Sequence, residues 1–510
     1  MTRREFVKTG AKGVALVSLP FIFKVDPLAA LTTPPAGSLN LNDYYTHFGV
    51  DEAIIKQVMA AALEKGGDYC DIFFEHSISN SIGLEDNLVN RAYSTVDFGV
   101  GIRVVEGDQT GYSFTEEITP EAMKLAAKTA ANIANQAKNA PPKELVLHDS
   151  KDLYPVEQSW EDVGFDEIIP KLQQINDKVL SLDPRVVNSQ IWFTSGTQYV
   201  LLATSDGRIV CDYRPMSRTF AQCIAEQEGR REENYHMIGG RFGLELYTPE
   251  NIDTLAKEAV RRTIDLFQAV PMAGGEMEVV LAPGKAGILL HEAIGHGMEA
   301  DYNRKGESIF ADKIGKPVAQ PFVSIVDDGT IPSYRGSINI DDEGNDTHKT
   351  YLVRDGILET YLHDYISAKH YGVKPTGNGR RQSFRYMPIP RMTNTYMLNG
   401  PHTKEEIIAS VKKGLYAESF TNGEVNIGPG DFTFYLKSGY MIEDGKLTTP
   451  VKDVNLIGNG PDVLTKMVMV ANDLEVEQSG GTCGKGGQWA PVTDGLPTTK
   501  VSSITVGSNA

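Results

Sequence analysis

Two histidines and a glutamate stand together in His291-Glu292-Ala293-Ile294-Gly295-His296. Imidazoles are common zinc ligands, and a glutamate beside one of them is placed to handle protons. In the familiar zinc-hydrolase spacing H-E-x-x-H the histidines lie about 40° apart on one face of a helix. Here the separation is five residues, about 500° of regular helix, which leaves the imidazoles about 140° apart. Two such side chains cannot share an ion. A π-type turn, closing from i to i+5, returns them to one face. Gly295 inside the spacing weakens a regular helix. The spacing therefore predicts a helix that is distorted here or ends by His296.

A catalytic zinc site needs a third protein ligand, and it must come from far along the chain. Cys483 is the candidate. It lies in Gly480-Gly481-Thr482-Cys483-Gly484-Lys485-Gly486-Gly487, read as a glycine-rich loop that can approach closely. A thiolate suits zinc better than magnesium or calcium. Glu292 would then be the general base, taking a proton from water as it attacks a carbonyl. Glu299 and Asp301 are candidates to accept a bond from an imidazole N–H. By spacing alone the two histidines read equally well as packed or solvent-facing residues. The apolar run before them, Gly295 and Cys483 tip the reading toward a metal. His363 and His370 flank Asp364 in a tyrosine-rich stretch and read as packing or surface residues.

The elements that must position these groups fall into regions. Residues 50–140 read as one α+β unit. A helix capped by Asp51 is followed by strand-like runs at Tyr69–Glu75, Ser79–Leu84, Val96–Val105 and Thr110–Phe114, then by a helix opening at Thr119-Pro120-Glu121. Residues 141–270 repeat this order loosely. A helix near Phe165–Leu182 precedes strands at 186–193, 198–203, 209–213 and 219–225, and a helix opens at Thr248-Pro249-Glu250. Residues 271–510 are glycine-dense and largely β. Strands are expected at Met277–Leu281, Phe322–Asp327, Val353–Leu362 and Asp431–Glu443, and an apolar helix near Val463–Ala471. The fold class is α+β: N-terminal and central α/β layers followed by a β-rich C-terminal domain.

The formal charge of −18 is spread along the chain, and an acidic surface argues against nucleic acid as a partner. After residue 30 no run of about 20 apolar residues occurs, so no membrane span is expected in the mature chain. Residues 1–30 read as a targeting segment. Arg3-Arg4, with Phe6 two positions on, resembles a twin-arginine export signal, and Pro27-Leu28-Ala29-Ala30 lies near a small-residue cleavage site. Its removal leaves the mature chain at −21. Four cysteines are too few for a disulfide-built exported protein; Cys70 reads as a buried hydrophobe, and Cys211 and Cys223 are either free or paired across a hairpin.

The string from His291 through Gly297-Met298-Glu299-Ala300-Asp301 resembles the motif of the TldD/PmbA metallopeptidase family, in its TldD branch. Gly377-Asn378-Gly379-Arg380-Arg381-Gln382-Ser383, Pro388-Ile389-Pro390-Arg391-Met392-Thr393-Asn394-Thr395, the loop around Cys483, and Gly67-Asp68-Tyr69-Cys70-Asp71 with Gly99-Val100-Gly101-Ile102-Arg103 are similar to further segments of that family. The resemblance spans nearly all of residues 50–508. It implies three domains ending in a C-terminal metalloprotease domain, and zinc held by His291, His296 and Cys483 with Glu292 as catalytic base. It also implies extended, unfolded peptides as substrates, and a homodimer or a heteromer with a PmbA (TldE) type subunit. An older family label, modulator of DNA gyrase, concerns peptide toxins acting on gyrase rather than DNA contact. The export signal departs from the usual member and would carry the chain to the periplasm. Two rival readings remain: a non-catalytic peptide-binding subunit, and a metal-dependent amide hydrolase of small molecules.

Overall fold

The computed structural model describes residues 39–134 and 142–508. Residues 1–30, read as an export signal, lie outside them. Helix α1 (Leu41–Phe48) starts at Asn40, whose side chain accepts from the Asn42 N–H. Helix α2 (Glu52–Ala62) starts at Asp51, which caps the Ile54 N–H. Three antiparallel strands follow, β1 (Tyr69–Glu85), β2 (Leu88–Glu106) and β3 (Gln109–Thr115), then α3 (Pro120–Ala130) with Thr119 as its cap. The same order recurs as α4 (Phe165–Ser181), β4 (Val186–Thr204), β5 (Arg208–Gln227), β6 (Arg230–Gly240) and α5 (Pro249–Asp265).

The two sets share one sheet in the order β3-β2-β1-β4-β5-β6, and the short strand Val146–Leu147 adds to β5. β1 and β4 pair antiparallel from Asp71 opposite Thr204 to Glu85 opposite Gln190. Each strand runs through the break expected from its sequence. Ser77-Ile78 and Thr194-Ser195-Gly196 look like turn residues but sit mid-strand, paired on both sides. The α2–α3 pair covers one half of the sheet, burying Ile55 and Met59 against Cys70, Ile72 and Phe74. The α4–α5 pair covers the other half, burying Leu172 and Leu255 against Ile191, Phe193 and Cys223. Each fully buried aliphatic contributes about 1.5–3 kcal/mol. Cys211 and Cys223 are free thiols on the same strand, β5. Twelve residues of extended chain hold them roughly 40 Å apart, so they do not pair.

Side chains alternate along β1. Cys70, Ile72 and Phe74 face the helices, while Asp71, Phe73 and Glu75 face the C-terminal region. There Asp71 pairs with Arg103 of β2 at 2.6 Å and with Arg381 at 3.0 Å, and Arg103 reaches Glu343 at 2.7 Å. The Glu75 carboxylate accepts from the Phe384 N–H at 2.6 Å. The string Arg380–Phe384 is thereby fixed against the first sheet.

The C-terminal region contains β7 (Gly275–Leu281), β8 (Ile325–Asp328), β9 (Asn394–Met397), β10 (Lys413–Asn426), β11 (Asp431–Glu443), β12 (Lys446–Asn459), β13 (Gly481–Lys485), β14 (Gln488–Leu496) and β15 (Thr499–Ser508). Five of them, in the order β12-β11-β10-β7-β15, close into a barrel where β12 pairs with β15. β8, β9 and β14 lie in a second sheet, and β13 forms a hairpin with β14. β14 leads through Pro497-Thr498 into β15 and so ties the two together. The apolar run Val463–Ala471 is not one helix: Gly460–Lys466 is helical, and Met467–Val470 is a strand on β15.

Candidate metal centre

The run Ile288-Leu289-Leu290 starts as α-helix and becomes a π-helical turn over His291–Gly295. The His296 N–H donates to the His291 carbonyl, the i to i+5 closure that the spacing requires. The imidazole centroids are 5.0 Å apart with the rings near perpendicular. Gly295 has a packing role there: a Cβ would lie 2.1 Å from the sulfur of buried Met392. At the start of the segment, Gly287 lies against Gly495 of β14, where a Cβ would meet the Gly495 nitrogen at 2.4 Å.

Cys483 does not sit on a loop. It is the middle residue of β13, opposite Ala490 of β14, and the glycines Gly486-Gly487 form the hairpin turn. Arg391, fully buried, donates to the Cys483 carbonyl at 2.6 Å and pins the strand. Arg391 in turn follows from the string Pro388–Thr395, which is fastened at Asp327. That carboxylate accepts from the Thr393 and Thr395 hydroxyls and from Asn378.

These elements bring His291, His296 and Cys483 together, with donor atoms within 4.8 Å of one another and all three side chains buried. The Cys483 sulfur is 3.2 Å from His296 Nε2. His296 Nδ1 bonds Glu299 at 2.8 Å, and His291 Nδ1 bonds Asp494 at 2.9 Å. Each carboxylate occupies Nδ1 and leaves Nε2 for a metal, the usual arrangement around ligating histidines. Two imidazoles and a thiolate are a zinc-type donor set, so the residues fit that ion. Asp301, the other expected acceptor, instead pairs with Lys485 at 2.7 Å, and Lys485 also reaches Glu299 at 3.0 Å. The Glu292 carboxylate is 3.9 Å from His296 Nε2 and is partly open to solvent.

The charges balance through these contacts. Burial pulls His296 down, but Glu299 and the Cys483 sulfur outweigh it and lift the imidazole to about 9. Burial pushes the Cys483 thiol up, yet His291 and His296 bring it down to about 5. Glu299 is pushed up by burial and held at about 2 by Lys485 and His296. Burial raises Glu292 above the ordinary carboxylate range, against the pull of the two histidines.

Asp494, Lys485 and Arg391 were not singled out as site residues from sequence. Lys485 had one signal: it lies two positions beyond Cys483, on the same strand face. Asp494 had none, since its contact spans 203 residues. His363 is buried beside Tyr361 and Tyr371, a packed residue as expected.

Sequence comparison matches the PmbA/TldA metallopeptidase C-terminal domain at residues 274–508, domain 1 at 70–134 and the central domain at 158–267. The Metalloprotease TldD homolog of Haemophilus influenzae is 40% identical over 448 residues, covering 86% of this chain and 93% of that protein. The Zinc metalloprotease TldD homolog of Saccharolobus solfataricus is 27% identical over 454 residues, covering 88% and 98%. A Thermotoga maritima crystal structure described as a modulator of a DNA gyrase shares the fold, with TM-score 0.71 at 23% identity over 89% of this chain and 99% of that one. So does TldE from Thermococcus kodakarensis, with TM-score 0.69 at 18% identity over 90% and 99%. With its three domains matched in order and a relative 40% identical along most of its length, the chain belongs to the PmbA/TldD metallopeptidase family.

Proposed function

We propose that this chain is a zinc-dependent peptidase that hydrolyses unfolded or extended peptides. The observation that carries the reading is the buried His291–His296–Cys483 cluster with the Glu292 carboxylate beside it. Zinc bound there would supply the Lewis acidity that makes water nucleophilic near neutral pH. His291 and His296 would hold it through Nε2, together with the Cys483 sulfur, because Asp494 and Glu299 occupy the other ring nitrogens. Glu292, with its affinity for protons raised by burial, takes the proton of the attacking water on its carboxylate and returns it to the leaving amine. The names of the bacterial and archaeal relatives support the class of reaction.

The test is metal analysis combined with digestion of an unfolded protein. Wild type should carry about one zinc per chain and cleave. Glu292→Ala should keep the metal and lose cleavage, whereas Cys483→Ser should lose both. Cleavage by Glu292→Ala at the wild-type rate would exclude this mechanism. A zinc-loaded wild type that binds peptide without cutting it would favour the non-catalytic subunit instead.

We further read the chain as half of a homodimer or of a heteromer with a TldE-type subunit. Leu88, Tyr93 and Val96 are exposed apolar side chains on the β1–β2 hairpin, available to such a contact. Light scattering on the purified protein decides it, and a monomer alone and with that subunit would exclude it. Among the described residues no helix is long and apolar enough to cross a membrane. Arg3-Arg4 supports export by the twin-arginine route to the periplasm. An intact N-terminus on cytoplasmic protein, read by mass spectrometry, would refute that.

A further inference from the structure

The metal donors use one face of the β13–β14 hairpin. Side chains alternate, so Thr482 and Gly484 face the opposite way from Cys483, together with their cross-strand partners Pro491 and Trp489. That opposite face borders a cavity of about 190 Å³ between the first sheet and the C-terminal region.

Five arginines line the cavity. Two are matched by acids: Arg214 pairs with Asp212 at 2.5 Å and Asp342 at 2.7 Å, and Arg381 pairs with Asp71 at 3.0 Å. Asp342 is the one acid in the lining, and both its oxygens are committed, to Arg214 and to the Arg381 N–H. Arg241, Arg335 and Arg380 have no carboxylate at ion-pair distance among the described residues. Arg241 is 3% exposed, stacks 4.9 Å over Tyr154, and among the described residues its Nε has no hydrogen-bond partner. Arg335 meets only neutral acceptors, the Gly481 carbonyl at 3.0 Å and the Thr482 hydroxyl at 2.9 Å. Arg380, 4% exposed, donates to the Met392 carbonyl.

Buried guanidinium groups without a counter-charge are costly unless an anion completes them. Burial pulls all three below the ordinary guanidinium range, and neighbouring arginines add to it. The planar fork of a guanidinium matches a carboxylate in shape as well as charge.

We propose that Arg241, Arg335 and Arg380 form a carboxylate-binding subsite that anchors one carboxylate of a peptide on the far face of the hairpin from the metal donors. The proposal rests on the peptidase reading and narrows its substrates to peptides bearing a carboxylate at a set distance from the cut bond. That carboxylate comes either from the peptide C-terminus or from an aspartate or glutamate side chain.

The experiment uses the zinc-loaded Glu292→Gln protein and fluorescence anisotropy. Its probe is a short neutral peptide in three forms: free C-terminal acid, C-terminal amide, and amide with one internal aspartate. At least one acidic form should bind about tenfold or more tighter than the neutral amide, and the form that does so identifies the source. Arg335→Gln, at a partly exposed position, and Arg241→Gln should each remove most of that advantage, while Arg241→Lys, which keeps the charge, should retain part of it. Equal binding of all three forms, or an advantage untouched in both glutamine variants, would overturn the subsite. Cleavage of the same peptides by wild type separates the two claims. Carboxylate-dependent binding without cleavage sinks the peptidase reading and leaves the subsite standing. Cleavage indifferent to the carboxylate does the reverse.

Discussion

His296 bonds Glu299 through one ring nitrogen and faces Cys483 with the other, so its proton is one that a metal at this site must displace. The imidazole is lifted from 6.5 to about 9 and the thiol is lowered from 9.0 to about 5. Between those values the metal-free pair is imidazolium and thiolate. The raised histidine contributes stability that is complete below 6.5 and lost as the pH rises through about 9. The lowered thiol contributes stability that is complete above 9.0 and lost as the pH falls through about 5. A metal ion must displace the protons of both imidazoles, since His291 too is raised well above its ordinary value. Its affinity therefore rises with pH from neutrality, by up to about tenfold per unit for each proton released, and the share due to His296 ends near 9. Zinc titrations with a competing chelator from pH 6 to 10 read this directly. Glu299→Gln removes the main attraction lifting His296, so the share of the rise due to His296 should end at lower pH; a flat profile in both proteins would show that no proton is displaced. At this scale the sequence was informative where chemistry is local. Glu292 and the paired histidines are one helical segment, and Cys483 is conspicuous among glycines. Asp494 was hidden because its role exists only once β14 meets the helical segment 203 residues away.

The five-residue spacing of the histidines called for a helix distorted here or ended by His296, and the structure has a π turn with close packing around it. Gly295 meets the flexible side chain of Met392, whereas Gly287 and Gly460 meet backbone, at the Gly495 nitrogen and the Ala293 carbonyl. A methyl group at the first position can be accommodated by side-chain movement, but at the others the elements themselves must separate. Gly295→Ala should therefore destabilise by about 1–3 kcal/mol, and Met392→Ala in the same chain should recover part of the resulting loss of zinc affinity. Gly287→Ala should lower zinc content further, because it pushes the helical segment off the strand that carries Asp494, and Met392→Ala should not relieve it. Thermal midpoints and bound zinc, measured on the four proteins, decide; identical rescue of both glycine variants would mean that the contacts are not independent. Helices capped by Asp51, Thr119 and Thr248 were legible because a cap is a local hydrogen bond. The strands of the first sheet were cut short in the reading because Ser, Thr and Gly favour turns only where no partner strand competes. β4 pairs on both sides through Gly196, so long-range pairing prevails over local preference.

The regions read as first and second units both contribute strands to one sheet, and the face of that sheet turned away from the helices meets the C-terminal region. Asp71 lies between Arg103 and Arg381 with all three side chains no more than 1% exposed. Nothing in the spacing of Asp71 and Arg381, 310 residues apart, announces the pair. Such a group does not gain much over apolar packing, but removing one member leaves charges buried and unmatched, which costs about 3–5 kcal/mol. Asp71→Ala should therefore lower the thermal midpoint by several degrees and speed proteolysis at the junction. Added salt should not mask the difference, since the pair is shielded from solvent ions. Glu52→Ala is the control: its partner Lys56 and the carboxylate are 35% and 45% exposed, and breaking that pair should change stability by less than about 1 kcal/mol. The Asp71 variant should also weaken peptide anchoring if the carboxylate subsite operates, because a freed Arg381 borders the same cavity and disturbs its arginines. Equal midpoints for the two variants would mean that apolar contacts such as Phe73 with Phe384 hold the junction, and that the buried charges there serve the cavity rather than the fold.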